Sequence, residues 1–217
     1  MTLKELQKIL TSIAPADREA MDRAKKRQAE LAKPPGSLGK LEDMSIRLAG
    51  ITGQVRNQLE SCRILVFAAD NGVIAEGVSS SPESVTLSQA VNMTRHITGM
   101  SALARYFGNS VVVADVGINA EVRCPAILNR KIRRSTRNLA KEPALTRQEV
   151  LDAMGVGLEL AGQAKEEGVQ AIGVGEMGIG NTTTSSAVLA ALTGAAVEQV
   201  TGRGGGLTDQ GFATKKR

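Results

Sequence analysis

The sequence predicts an α/β fold built on a parallel sheet, and three observations carry that expectation. Three short, nearly continuous apolar runs, Arg63 to Ala69, Ser110 to Val116 and Val169 to Val174, read as strands buried on both faces. Each run gives way to polar or glycine residues, at Asp70-Asn71-Gly72, Asp115-Val116-Gly117 and Gly175-Glu176-Met177. Helix-forming stretches lie between the runs, and strands alternating with helices imply parallel neighbours. Ligands of such sheets sit beyond the carboxyl ends of the strands, so the polar and glycine residues fall where a site belongs.

In chain order, Thr2 with Glu5 forms a capping box, and Ala16 to Ala32 is rich in strong helix formers. Lys33-Pro34-Pro35-Gly36-Ser37-Leu38-Gly39 cannot continue that helix, because consecutive prolines remove donors and push their predecessors toward extended backbone. A further helix is expected to run to Thr52, which makes residues 1–55 an N-terminal helical segment and residues 56–217 the α/β core. The clearest core helix, Thr146 to Glu167, opens with a Thr146/Glu149 capping box and places Val150, Met154, Leu158 and Ala161 on one apolar face. His96, the only histidine, is read as part of a helix with no partner that would make it catalytic. No internal repeat or low-complexity segment interrupts the chain.

At 217 residues and 42% apolar, the chain suffices for one sizeable core. No apolar run approaches the roughly 18 residues of a membrane span. The longest candidate, Ala187 to Val197, is broken by Thr193 and Gly194, and Met1 to Ile13 lacks the apolar stretch of a secretory signal. A soluble, cytoplasmic protein is expected. Cys62 and Cys124 have no CxxC or histidine-rich company, so neither a disulfide framework nor a zinc site is indicated. The charge of +5 would suit nucleic acid, but with 2% aromatic residues there is little for bases to stack on. The basic cluster Arg123, Arg130, Lys131, Arg133, Arg134 and Arg137 reads as a solvated face, or as an exposed strand or hairpin around Ile132.

Three glycine-rich strings carry the chemistry. Gly173-Val174-Gly175-Glu176-Met177-Gly178 matches GxGxxG, with Glu198 about 20 residues on as a dinucleotide fingerprint asks. Against that reading, little chain follows the match, and Glu176 would set a carboxylate beside a pyrophosphate. Gly178-Ile179-Gly180-Asn181-Thr182-Thr183-Thr184-Ser185 lets backbone approach a ligand. Asn181 there could cap a helix whose free amides, with the hydroxyls, form an anion site; an ordinary capped helix is the alternative. Gly202-Arg203-Gly204-Gly205-Gly206 with Lys215 and Lys216 could grip a phosphate from the other side, or the lysines could simply end a frayed helix. No Gly-Lys-Ser/Thr follows either loop, so an ATPase reading has little support.

The strings Lys33 to Glu42 (KPPGSLGKLE), Ala68 to Val78 (AADNGVIAEGV), Ser81 to Arg95 (SPESVTLSQAVNMTR), Asp115 to Glu121 (DVGINAE) and Gly173 to Thr183 (GVGEMGIGNTT) occur in this order. The series resembles the nicotinate-nucleotide:dimethylbenzimidazole phosphoribosyltransferase family. That resemblance implies a Rossmann-like parallel sheet with flanking helices, a smaller helical domain assembled from both chain ends, and a homodimer. It implies transfer of the phosphoribosyl group of nicotinate mononucleotide to 5,6-dimethylbenzimidazole with inversion, needing no cofactor and no metal. It places Gly178 and Lys215 on phosphate contacts, beside which Asn181, Thr182 and Gly204 are added on anion-site grounds. Ser81, Gln89 and Met177 are implied for the benzimidazole pocket, and Glu176 as a supporting carboxylate beside the substrates, or else a local helix-start carboxylate. Asp70 and Asp115 serve equally well as turn formers.

Two departures qualify the resemblance. Asn71 stands where the family usually has a histidine. The family's general base belongs to an Arg-Leu-Gly-Glu-Gly-like segment, and the sequence reaches Arg217 without one. A chain lacking the later part of the family fold is expected to expose a sheet edge and an apolar face. The alternatives are therefore a non-catalytic nucleotide-binding protein, or an inactive fragment without the base.

Overall fold

A computed structural model describes residues 1–217, which divide into two units: Leu3–Glu60, and Ser61–Arg217 together with Met1–Thr2. No helix in either is long and apolar enough to cross a membrane. The first unit holds three helices, α1 (Leu3–Thr11), α2 (Arg18–Glu30) and α3 (Lys40–Thr52). Asp17 starts α2 by accepting from the Ala20 amide at 3.0 Å, which satisfies a donor that a first helical turn leaves orphaned. The proline-containing loop before α3 is clasped by Lys33, which donates to Glu42 at 2.6 Å, and that bond holds the Glu42 carboxyl below its usual range. α2 approaches α3 at Gly50, where a Cβ would fall 2.7 Å from the Met21 side chain.

The second unit is built on four parallel strands, β1 (Cys62–Ala69), β2 (Ser110–Gly117), β3 (Ile127–Asn129) and β4 (Ala171–Met177), in the order β3-β2-β1-β4. The three predicted runs are β1, β2 and, beginning two residues later than read, β4. Around them lie a 3-10 turn (Gly72–Glu76), α4 (Val85–Thr94), α5 (Gly99–Tyr106), α6 (Arg147–Glu166), α7 (Asn181–Thr193), the single turn α8 (Val197–Val200) and α9 (Asp209–Lys216). Val66, Ala68, Val113 and Ile127 pack one sheet face against Ala90 of α4, with Leu87, Val91 and Met100 at its rim. Leu65 and Ala114 pack the other face against Val156 and Leu160 of α6. Each fully buried Leu or Val side chain in these layers contributes about 1.5–3 kcal/mol relative to exposure.

Three expectations need correction, and one strand is added. The buried face of α6 is Leu151, Val156, Leu160 and Ala164, while Val150, Met154 and Leu158 are 41%, 44% and 39% exposed. Apolar residues surround this helix, so a 3.6-residue period offers two stripes and the sheet selects one. His96 lies outside α4 with a φ of 58°, its Nδ1 3.3 Å from the Ser101 carbonyl, in the reversal that lets Thr98 and Ser101 build the α5 capping box. The basic cluster is only in part a solvated face: Arg123 and Arg134 are exposed, while the others are half-buried and paired. Arg130 pairs with Glu159 at 2.6 Å, Lys131 with Asp115 at 3.0 Å, and Arg133 and Arg137 both with Glu149. β3 is an addition, three residues of which only Ile127 is buried.

β1 is flanked by β2 on one side and by β4 on the other. The chain runs outward from β1 through β2 to β3 and then crosses back to place β4 on the other side of β1, a reversal of strand order that opens a crevice between the carboxyl ends of β1 and β4. β4 also forms an edge of the sheet, with Ile172 and Val174 exposed, and Val188, Leu189 and Leu192 of α7 are exposed as well.

Candidate functional site

At that crevice the chain leaves β4 through Gly178-Ile179-Gly180 and enters α7. Gly178 lies so close to β1 that a Cβ would collide with the Ala69 carbonyl oxygen, and Gly180 holds the N-cap with φ 89°. Both positions require glycine. Asn181 is therefore the first residue of α7 and not its cap. Its Nδ2 donates to Glu176 Oε1 at 2.6 Å, and its Oδ1 accepts from the Thr182 amide at 2.8 Å. The Asn181 and Thr183 amides donate to Gly178 O and Gly180 O. The first turn of α7 thus uses its own donors internally, contrary to the expectation of free amides there.

The open donors lie one step away. A cavity of about 170 Å³ is walled by Val78–Ser81, Ile179–Thr182, Arg203–Gly205 and Leu207. Gly180, Gly204 and Gly205 line it, and their amides donate to no protein acceptor. Lys215 of α9 backs the wall: 8% exposed, its ammonium donates to Thr182 Oγ1 at 2.7 Å and to Gly202 O at 3.0 Å. Burial pushes the Lys215 pKa below the usual lysine range, as desolvation penalises an unneutralised cation. Gly204 makes this convergence possible, since at φ 57° a Cβ would stand 2.8 Å from Thr182 Oγ1 and 3.6 Å from Lys215 Nζ. The loop is braced by Arg203, which donates to Leu207 O and Asp209 Oδ1 and stacks 4.9 Å above Phe212. Glycine amides, a hydroxyl and a desolvated ammonium around a small cavity suit a tetrahedral oxyanion such as phosphate.

Of the residues singled out in the sequence, Ser81, Asn181, Thr182 and Gly204 line this one cavity, with Lys215 directly behind Thr182. Gly178 stands behind the wall against β1. Glu176 is exposed and tied to Asn181. Gln89 lies on α4 and Met177 packs against the sheet core, neither on the cavity wall. Sequence reasoning misses Ser79, Ser80, Gly180 and Gly205 as lining residues; the glycines lie inside strings already suspect, whereas nothing around the serines marks them. Asp115 is a turn former, its Oδ1 accepting from the Gly117 and Ile118 amides at 3.0 and 2.8 Å. Asp70, 2% exposed, accepts from the Asn119 amide at 2.7 Å, and burial pushes its carboxyl above the usual range.

Residues 13–217 match the family described as Phosphoribosyltransferase. The nicotinate-nucleotide–dimethylbenzimidazole phosphoribosyltransferase of Clostridium perfringens strain 13 is 47% identical over 212 residues, covering 98% of this chain and 59% of its own length. That of Geobacter sulfurreducens is 44% identical over 218 residues, covering 100% of this chain and 61% of its own. Among solved structures, CobT from Thermus thermophilus superposes with a TM-score of 0.87 at 41% identity, over 91% of this chain and 60% of that one. The chain thus spans about three fifths of the length of the relatives it matches.

Proposed function

This chain belongs to the phosphoribosyltransferase family, and from that membership we propose that it binds nicotinate mononucleotide for transfer of its phosphoribosyl group to 5,6-dimethylbenzimidazole, giving alpha-ribazole 5'-phosphate. One observation carries the reading: Gly180, Gly204, Gly205 and Thr182 line a phosphate-sized cavity beyond the β1–β4 crevice, the three glycine amides have no protein acceptor, and the Lys215 ammonium stands behind Thr182, bonded to its hydroxyl. A phosphate anchored there fixes the ribose for in-line displacement. In that step a ring nitrogen of the benzimidazole forms a bond to the anomeric carbon and the bond to the nicotinate nitrogen breaks. Its electron pair stays on nicotinate, and the proton on the other benzimidazole nitrogen passes to a carboxylate. Glu176, held by Asn181 beside the cavity, supplies negative charge near a ribose that becomes cationic.

Residues 1–217 contain no Arg-Leu-Gly-Glu-Gly-like segment, and we propose no proton acceptor among them. We place Ser81, Gln89 and Met177 toward the incoming base and Gly178 with the phosphate contacts, and residues 1–55 in a smaller helical domain. A small-molecule substrate pair fits a cytoplasmic protein without nucleic-acid partners, and the exposed Val150, Met154 and Leu158 of α6 fit a homodimer. The test is a titration of residues 1–217 with nicotinate mononucleotide, followed by a nicotinate-release assay with dimethylbenzimidazole. Saturable binding without nicotinate release is expected. Failure to bind would end the reading, and release by residues 1–217 alone would show that the proton acceptor lies within them.

A further inference from the structure

Two consecutive peptides, Gly178–Ile179 and Ile179–Gly180, form the bridge from β4 into α7, and three of their four polar groups are held by the protein. The Ile179 amide donates to Thr86 Oγ1 at 3.0 Å; Thr86 sits on α4 and is 0% exposed. The Gly178 carbonyl accepts from the Asn181 amide at 3.0 Å. The Ile179 carbonyl accepts from Asn71 Nδ2 at 3.0 Å, and Asn71 Oδ1 in turn lies 3.4 Å from Thr184 Oγ1, in the first turn of α7. The fourth group, the Gly180 N–H, has no protein acceptor, and Gly180 lines the cavity.

A trans peptide is planar, with its C=O and N–H on opposite sides. Gripping Ile179 O therefore sets the direction of Gly180 N–H, and gripping Ile179 N prevents the preceding peptide from turning in compensation. The fit is close, since a Cβ on Gly180 would lie 3.2 Å from Asn71 Cβ. A donor fixed before its ligand arrives needs no reorganisation on binding. We infer that Asn71 and Thr86 are positioning residues that clamp the Ile179 peptide groups and so hold the Gly180 amide as a preset donor to the phosphate of the bound nucleotide. This rests on the phosphate reading above. It gives Asn71, which stands where the family usually has a histidine, a duty of its own in this chain.

The test uses residues 1–217 uniformly labelled with 15N and titrated with inorganic phosphate, wild type beside Thr86→Val, Thr86→Ser and Asn71→Leu. In wild type the Gly180 amide resonance is expected to move downfield with saturation. Thr86→Val and Asn71→Leu, nearly isosteric but without the polar atoms, are expected to weaken phosphate about tenfold and to lose the Gly180 shift, because a misdirected donor forfeits a charge-assisted bond. Thr86→Ser, which keeps the oxygen, is expected to restore both. Variants that bind phosphate like wild type, with the Gly180 shift intact, overturn the inference alone, as does a Thr86→Ser as weak as Thr86→Val. A wild type with no phosphate response at Gly180, Thr182 or Gly204 brings down the functional reading and this inference together.

Discussion

β2 ends in Asp115-Val116-Gly117, where most of the polar groups are met from within. Asp115 accepts from the Gly117 and Ile118 amides, Gly117 O accepts from the Asp70 and Ser135 amides, and Lys131 closes on Ile118 O, Ala120 O and Asp115. β4 ends in Glu176-Met177 and is followed by Gly178, again an acidic residue and a glycine. Here Gly180, Gly204 and Gly205 line a cavity and their amides have no protein acceptor. The carboxylate at the first strand end points inward at 1% exposure and consumes the local donors. Glu176 at the second is exposed and bonds only to Asn181. Whether a strand-end loop stabilises the fold or binds a ligand is decided by where its acid points and which donors that leaves open.

Substitutions at the two loops should therefore separate stability from binding. Asp115→Ala strands Lys131 and two amides in the interior, and should cost about 3–5 kcal/mol in urea denaturation. Any loss of phosphate affinity in that variant should track the unfolded fraction. Gly204→Ala puts a side chain at φ 57° against Thr182 and Lys215; it should cost about 1–2 kcal/mol of stability while eliminating measurable phosphate binding. Lys215→Met should reduce phosphate affinity at least about tenfold, the worth of one charge-assisted bond, with little change in melting temperature.

The Lys215 contribution is also pH-dependent. The ammonium is the binding form, and burial lowers its pKa, so phosphate affinity in wild type should fall as pH rises through a value below 10.5, a fall that Lys215→Met should not show. The smallest effect belongs to Glu149, bonded by Arg137 and by the Thr146 amide, which hold its pKa down to about 2 from 4.5. A lowered folded-state pKa stabilises above the unfolded value and ceases to do so as pH falls through the folded one. The melting temperature of Glu149→Gln should thus sit below wild type at neutral pH and converge with it between pH 4.5 and about 2.

The parallel sheet is legible in the sequence because β1, β2 and β4 are apolar runs ending in turn residues, and the Thr146/Glu149 box marks the start of α6. β3 is not, because three residues with one buried side chain leave no periodic signal. The α6 face is misread from sequence because the helix carries two apolar stripes and only the tertiary partner distinguishes them. Asn181 looks like a cap by residue type, yet the left-handed conformation needed after Gly178 falls to Gly180. The glycine strings and Lys215 stand out in the sequence as candidates for an anion site. The serines opposite them, Ser79 to Ser81, lie about a hundred or more positions away in the chain, and only the fold brings Ser80 Oγ within 3.2 Å of Gly205 O. The Asn71 and Thr86 grip on Ile179 is likewise out of reach of sequence, since it spans 108 and 93 positions.

The central claim, that the cavity after β4 holds the phosphate of a nucleotide, is tested most directly by calorimetric titration of residues 1–217 with nicotinate mononucleotide and with nicotinate riboside, which differ only in the phosphate. The mononucleotide should bind at least about tenfold more tightly, a difference of about 1.4 kcal/mol, and Gly204→Ala should erase that preference. Equal affinity for the two ligands, or a preference that survives in Gly204→Ala, would contradict it.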